Sequence, residues 1–208
     1  MIINDSFPKF DLPIDFIADD SITGDILNYY SNFPCKIKAG VFVLCTEGMV
    51  KATINLLEVV IRKNDFVIVL PNSFIQIHEV SSDTRISFAG FSSDFMLSGN
   101  YVEILLDSMP MILISPVISL QDDIAGLYRN VYLLLIRAYT LPHSLENKDI
   151  IRSILAIFLQ GTKELYKRYG RKLDEPLRRE QELYRQFIQL LMAHYTSEHE
   201  VAFYAEKC

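Results

Sequence analysis

Short runs of alternating apolar and polar residues occupy the chain between Ile22 and Phe91. Apolar and polar residues alternate strictly at 50–55, 75–78 and 85–88. Because successive side chains of a strand point to opposite faces, the apolar set of each run should face an interior. Turn residues separate the runs, and regularly spaced short strands of this kind predict a β-sandwich or a small barrel.

Two further runs, 36–45 and 66–70, are too uniformly apolar to orient, so we expect them to be covered on both faces. The interior of the barrel is therefore predicted from the alternating runs, with Phe42 added for its size alone. These side chains either bind a ligand inside the barrel or simply fill its core. The candidate ligand-binding residues are Phe42, Ile54, Ile75, Ile77 and Phe88.

The apolar period becomes helical after the sequence SSD at 92–94, which is a good N-cap. A first helix is predicted at 95–106, with an interruption near its middle. Two prolines bound an irregular apolar stretch at 110–116. Two long helices follow at about 121–139 and 146–169.

One apolar stripe runs along the second long helix, and Ile150 and Ile157 widen it beyond what packing on one neighbour requires. The helix is therefore either buried on two sides in its own core or in contact with a second subunit. In the second case the predicted dimer interface consists of Ile151, Ile154, Leu155, Phe158 and Leu165.

The last segment, 178–208, is predicted to contain an amphipathic helix, a polar break at 196–200 and the start of another helix at Val201. The stripe of the first of these helices consists of Leu183, Phe187, Leu190, Leu191 and His194. A helix of barely two turns cannot bury its apolar face alone. We therefore expect the sequence to be interrupted inside a larger helical domain.

Charge and composition narrow the possible partners of the chain. The net charge of −6 and the pI of about 5.2 argue against a nucleic-acid-binding surface, which normally carries a basic patch. Three widely spaced cysteines predict reduced thiols. The N-terminus lacks a signal-peptide pattern, and no apolar run is long enough to span a membrane. We therefore expect a cytoplasmic protein without membrane contact.

Catalytic and metal-binding patterns are scarce in the sequence. There is no GxSxG, no phosphate-binding glycine loop and no HExxH. The predicted strands contain one histidine, His78, on the polar side of its run, whereas metal-binding barrels cluster several histidines and carboxylates. We therefore expect neither metal nor cofactor, and no enzymatic activity.

Three passages resemble the AraC-type transcriptional regulators. KNDFVIVLP at 63–71 is similar to the family's turn-strand-proline passage, and FAGFSSDF at 88–95 to the end of its barrel. The sequence 183–208 resembles the first helix of the DNA-binding domain and the opening of its second helix. Asn64 stands where a glycine is common in the family, and asparagine also tolerates positive φ.

The resemblance implies an α+β fold, with a small antiparallel cupin-like barrel or jelly roll followed by helices, two of them long and antiparallel. It implies three regions: an arm and sensor barrel at 1–92, a helical dimerisation region at 93–170, and at 171–208 a linker with the first helices of a truncated helix-turn-helix domain. Such a chain would bind a small-molecule effector and form a homodimer, and would contact DNA only through the missing C-terminal part.

Two other functions remain open from the sequence. A metal-dependent cupin enzyme with a helical appendix would contain a bound transition metal. A structural barrel that binds only protein partners would have a filled interior without a cavity.

Overall fold

The structure is a computed structural model. The first eight residues and the predicted linker at 171–176 lie outside its described part. It describes residues 9–29, 34–98, 101, 104, 108–140, 148–169, 179, 183, 186–187, 190–191, 194 and 197–208.

Ten strands in the described residues form two five-stranded sheets. The strands are β1 (Lys9–Phe10), β2 (Phe16–Thr23), β3 (Cys35–Ile37), β4 (Gly40–Glu47), β5 (Met49–Ile54), β6 (Leu57–Arg62), β7 (Asp65–Val69), β8 (Ser73–Val80), β9 (Arg85–Phe91) and β10 (Val117–Ser119). We call one of them the front sheet; its strand order is β1-β3-β8-β5-β6. The other, the back sheet, has the strand order β10-β7-β4-β9-β2. All pairs are antiparallel except β1 with β3.

Residues with positive φ, in the left-handed region, occupy the tight turns between these strands. Gly48, Asn55, Asn64 and Asn72 have φ values of 75°, 55°, 68° and 69°. A side chain at Gly48 would also collide with the backbone of Thr84, because its Cβ would lie 2.6 Å from the Thr84 Cα. Asn64 thus adopts the conformation for which asparagine substitutes for glycine.

The predicted alternation is confirmed in β5, where Val50, Ala52 and Ile54 are buried and Lys51 is exposed. Strand β7, which contains most of the apolar run 66–70, is buried at every position including Asp65, as expected for a strand covered on both faces. Its covering layers are the front sheet on one side and the helices on the other.

Six helices have their bounds within the described residues, and the two long ones agree closely with their predicted ranges. They are α1 (Gly24–Tyr29), α2 (Ser93–Leu97), α3 (Met109–Ile114), α4 (Asp122–Thr140), α5 (Lys148–Tyr169) and α6 (Val201–Lys207). Further helical residues are described at 101, 104, 179, 183, 186–187, 190–191 and 194. Tyr128 of α4 lies beside Gly161 and Tyr132 beside Phe158, so α4 and α5 run antiparallel. The predicted α+β class is confirmed.

The structure corrects three details of the sequence prediction. The arm is predicted at residues 1 to about 20, but its last part, from Phe16, belongs to β2, which pairs with β9 along the edge of the back sheet. The stretch expected to be irregular contains α3, because Pro110 lies in the first turn, where no N–H is needed. Strand β10, at 117–119, pairs with β7 inside the range expected to be all-helical. The N-cap at Ser92 is as predicted, since its Oγ accepts from the Phe95 N–H (3.1 Å).

Two separate apolar cores result from this arrangement. One, the inner core, lies between the two sheets and contains mainly valine and isoleucine. The other, the outer core, lies between the back sheet and helices α4 and α5 and is rich in aromatic rings. The back sheet is therefore shared by the barrel and the helical layer.

Candidate functional site

A cavity of about 130 Å³ lies in the inner core, between the front and back sheets. Eleven of its lining residues belong to six strands, β4 to β9, and one belongs to α1. The lining residues are Leu27, Val41, Val43, Val50, Ala52, Ile54, Ile61, Val67, Val69, Ile75, Ile77 and Ile86. All twelve are aliphatic, so the cavity offers a hydrocarbon surface.

The strands position these side chains through their alternation. Val41 and Val43 of β4 point between the sheets, whereas Phe42, between them in sequence, belongs to the outer core. The backbones beside the cavity are paired without interruption between β4 and β7 and between β5 and β6. The ladder between β5 and β8 has one irregularity, between Lys51 and Ala52. Most backbone N–H and carbonyl groups of these strands are therefore hydrogen-bonded to a neighbouring strand.

Leu27 is the one cavity residue that a helix supplies. Its helix, α1, follows β2 directly, and the Gly24 N–H at its start donates to the Thr84 carbonyl oxygen (3.1 Å). A Cβ on Gly24 would lie 2.6 Å from the Ser81 carbonyl oxygen, so glycine permits the close approach that brings α1 onto the barrel.

Two buried polar side chains of the barrel, Asp65 and Cys45, have hydrogen-bond partners. The buried Asp65 carboxylate accepts from Ser119 Oγ (2.6 Å) and from the Arg62 N–H (2.7 Å). The buried Cys45 thiol donates to the Glu47 carbonyl oxygen (3.3 Å). Burial, with a further contribution from the Asp65 carboxylate, raises the pKa of Cys45 to about 11.

Of the five predicted ligand-binding residues, the structure brings three to the cavity: Ile54, Ile75 and Ile77. Phe42 lies on the opposite face of the back sheet, with its ring 5.0 Å from that of Phe158 and 6.0 Å from that of Phe91. Phe88 shares the parity of Ile86 but does not line the cavity.

The sequence missed nine of the lining residues. Val50, Ala52 and Ile86 carried the same alternation signal as the chosen isoleucines and could have been found by it. The valines of β4 and β7 carried no such signal, because both faces of these strands are apolar. Leu27 could not be recognised without knowing where α1 packs.

The predicted dimer-interface residues are all buried in the outer core of their own chain: Ile151, Ile154, Leu155, Phe158 and Leu165. Phe158 is central there, because its ring meets those of Phe42, Phe66, Tyr128 and Tyr132 at 5.0–5.6 Å. The stripe therefore packs on the barrel and on α4.

Other apolar residues of the two long helices remain exposed. Ile157 is 67% exposed and Leu134 is 50% exposed. Leu127 lies seven residues before Leu134, and Ile150 seven before Ile157, so each pair lies on one side of its helix. Both pairs are candidates for contact with another chain.

The C-terminal residues form a small apolar groove of about 360 Å³ against the tip of the β5–β6 hairpin. The groove is lined by Leu56, Leu183, Phe187, Val201, Tyr204, Ala205 and Cys208. Leu183 and Phe187 are helical, and the Phe187 and Tyr204 rings meet at 5.9 Å. The Tyr204 hydroxyl donates to the Glu198 carbonyl oxygen (2.7 Å).

No cluster of three or more His, Cys, Asp or Glu side chains suited to a metal ion occurs in the described part of the chain. His78 lies on the outer face of the front sheet, with Nε2 2.7 Å from the Thr53 hydroxyl. Among the described helices, none has both the length and the hydropathy needed to cross a membrane.

No family model and no curated protein sequence matches this chain. Solved structures of similar fold include ToxT from Vibrio cholerae O395, bound to (E)-4-(8-methylnaphthalen-1-yl)but-3-enoic acid. The two share 12% identity over 93% of this chain and 71% of ToxT, with a TM-score of 0.41.

Two further solved structures are similar to parts of the chain. The AraC-like transcriptional activator CuxR shares 8% identity over 82% of this chain and 56% of CuxR, with a TM-score of 0.40. A putative mannose-6-phosphate isomerase from Ralstonia eutropha JMP134 covers 37% of this chain and 68% of its own length, at 11% identity and a TM-score of 0.26.

Proposed function

We propose that this chain is the effector-sensing and dimerisation part of a transcriptional regulator. The observation that carries the proposal is the apolar cavity between the two sheets, lined by six strands and α1. Protein interiors are normally close-packed, with few voids larger than a water molecule. An unfilled space of about 130 Å³ is therefore an unusual feature for a barrel that serves only as a scaffold.

The cavity favours a sensor over the structural alternative, which predicts a filled barrel. Its wall includes residues from every strand between β4 and β9, so an effector would contact both sheets at once. A molecule bound there would contribute the dispersion contacts that an empty cavity lacks. Binding would thereby favour one arrangement of the two sheets.

The β5–β6 hairpin offers a direct connection from the cavity to the C-terminal residues. Strand β5 lines the cavity with Val50, Ala52 and Ile54 and then enters the turn that carries Leu56. Leu56 is 73% exposed, yet it lines the groove formed with Phe187 and Tyr204. We infer that a shift of this hairpin on effector binding changes the position of the C-terminal helices.

Dimerisation would use the exposed apolar residues of α4 and α5. Leu127, Leu134, Ile150 and Ile157 carry apolar area that the chain's own core does not cover. Burial of such area is the main driving force of stable association. The buried stripe of α5, predicted as the interface, would lie beneath these exposed residues and hold the helix on the outer core.

DNA binding would belong to a domain that includes residues 179–208. The described helices there pack their apolar residues on one another, as in the beginning of a helical domain. The net charge of −6 gives this chain little attraction for phosphates.

A thermal-shift screen of small molecules tests the sensing role. We expect some compounds to raise the melting temperature of the wild-type chain and to lose this effect on Ala52→Leu, which fills the cavity. The matched control is Thr53→Leu, on the opposite face of β5, which should respond like the wild type. Stabilisation that is equal in the wild type and in Ala52→Leu would contradict binding in the barrel.

A further inference from the structure

The wall of the barrel cavity carries no hydrogen-bonding side chain. Its twelve residues are valine, isoleucine, leucine and alanine. Apart from one irregularity between Lys51 and Ala52, the strands that surround it are paired with each other through their backbones. A polar atom of a ligand would find no side-chain partner in this wall, and burying an unpaired polar group is unfavourable.

Polar groups near the barrel do not change this conclusion. The Asp65 carboxylate is bonded to Ser119 and to the Arg62 N–H. Thr53 and His78 are bonded to each other on the outer face of the front sheet. No lysine, arginine or histidine belongs to the cavity lining, so the carboxylate of an acidic ligand would have no counter-ion in the wall.

The size of the cavity limits the ligand as well. A volume of about 130 Å³ is well below the roughly 300–1,000 Å³ of pockets for drug-sized molecules. It is close to the roughly 150 Å³ of an engineered apolar cavity in another protein that stays dry and binds benzene or xenon. A ligand of a few carbon atoms fits this space.

We propose that the effector of this barrel is a small, uncharged, hydrocarbon-like molecule bound between the two sheets. The proposal rests on the sensing role of the barrel and specifies its ligand class. Recognition would come from shape and dispersion contacts with the aliphatic wall. Charged and strongly polar molecules of the same size are excluded, because the wall gives their polar atoms no partner.

The test uses 2-methylbutane and propionate, which have the same number of heavy atoms and the same branching but differ in charge at pH 7. The 208-residue chain is labelled with ¹³C at its isoleucine methyl groups, and each probe is titrated by NMR. We expect 2-methylbutane to shift the methyl signals of Ile54, Ile75 and Ile77. The methyl signals of Ile112 and Ile151, in the outer core, are the internal controls and should not move.

Two variants extend the test. Ala52→Leu should weaken 2-methylbutane binding at least about tenfold, a change of roughly 1.4 kcal/mol in binding free energy. Thr53→Leu, on the opposite face of the same strand, should bind like the wild type.

The outcomes separate the ligand class from the sensing role. Propionate shifting the cavity methyl signals at equal or lower concentration would overturn the neutral ligand class and leave the sensing barrel intact. If neither probe, nor benzene, moves these signals, the cavity binds no small molecule, and both proposals are wrong.

Discussion

Phe42 and Val43 show how the two cores are divided at the scale of single residues. They are neighbours in β4, yet Phe42 packs on Phe158 under the helices and Val43 lines the cavity between the sheets. The large ring lies in the aromatic outer core, and the smaller side chain faces the cavity. The inner core therefore keeps an open space because its strands present small aliphatic residues to it.

Ala52 and Ala89 test this division of space. Ala52 lines the cavity, whereas Ala89 is fully buried in the outer core. We expect Ala52→Val to raise the free energy of unfolding by about 0.5–2 kcal/mol, because it fills empty space. Ala89→Val should lower it by about 1–3 kcal/mol through overpacking. Urea unfolding of both variants measures the difference, and equal destabilisation would argue against a cavity beside Ala52.

Buried thiol and phenol groups predict how stability depends on pH. Burial raises the pKa of Cys45 from its ordinary value of 9.0 to about 11, and that of Tyr128 from 10.0 to about 12. At a pH between the ordinary and the raised pKa of each group, the unfolded chain has released a proton that the folded chain retains. The free energy of unfolding therefore falls as the pH rises. The fall should begin near pH 9, where burial also raises the pKa of Cys35, and Cys45→Ala should reduce this first part of it.

Urea unfolding midpoints from pH 8 to pH 11 measure this dependence. A midpoint that stays constant over the range would show that these groups ionise as easily in the folded chain as in the unfolded one.

At the same scale, the alternation of residues predicted part of the cavity. Ile54, Ile75 and Ile77 could be oriented because polar residues lie between or beside them in sequence. The valines of β4 and β7 could not, since their strands are covered on both faces. The misplacement of Phe42 has the same cause: size alone does not tell which of two buried faces a side chain occupies.

Among the elements, α5 has the clearest division between a buried and an exposed face. Phe158 is 2% exposed and meets four aromatic rings, whereas its neighbour Ile157 is 67% exposed. Phe158→Ala should lower the free energy of unfolding by about 3–5 kcal/mol. Ile157→Ala should change it by less than about 0.5 kcal/mol in the monomer. Similar losses for both, measured by urea unfolding at low protein concentration, would contradict this orientation of α5.

The exposed face of α4 and α5 predicts the behaviour of the chain in solution. We expect sedimentation to show a dimer that dissociates when Leu134 and Ile157 are both replaced by glutamate, because the charges cannot be buried without partners. Circular dichroism should remain that of the folded chain, since both residues are exposed. A wild-type chain that stays monomeric at high concentration, or a dimer that survives both replacements, would contradict this interface.

Helical periodicity predicted the ranges of α4 and α5 but not the partner of their apolar stripe. A periodic stripe shows that one face is covered, and the same signal arises from the chain's own barrel or from a second subunit. Ile151, Ile154, Leu155, Phe158 and Leu165 are covered by the chain itself. The short elements α3 and β10 were missed because proline at 110 and 116 interrupts the apolar period on which such predictions depend.

At the scale of the whole molecule, the β5–β6 hairpin contributes residues both to the barrel cavity and to the C-terminal groove. Its strands line the barrel cavity, and Leu56 at its turn lines the groove beside Phe187 and Tyr204. A ligand that moves β5 would therefore move a wall of the groove. Because Leu56 is largely exposed, this contact is small, and a modest displacement of the hairpin can change it.

Hydrogen exchange of the amides in 201–207, with and without 2-methylbutane, tests this coupling most directly. The NMR signals of the cavity isoleucine methyl groups show whether the cavity is occupied. We predict that occupancy changes the exchange rates of α6 in the wild-type chain and leaves them unchanged in Leu56→Ser. The contradicting result would be that the isoleucine signals show a fully occupied cavity while the amides of 201–207 exchange at the same rates in the free and the bound wild-type chain. Ligand binding in the barrel would then not change the C-terminal helices.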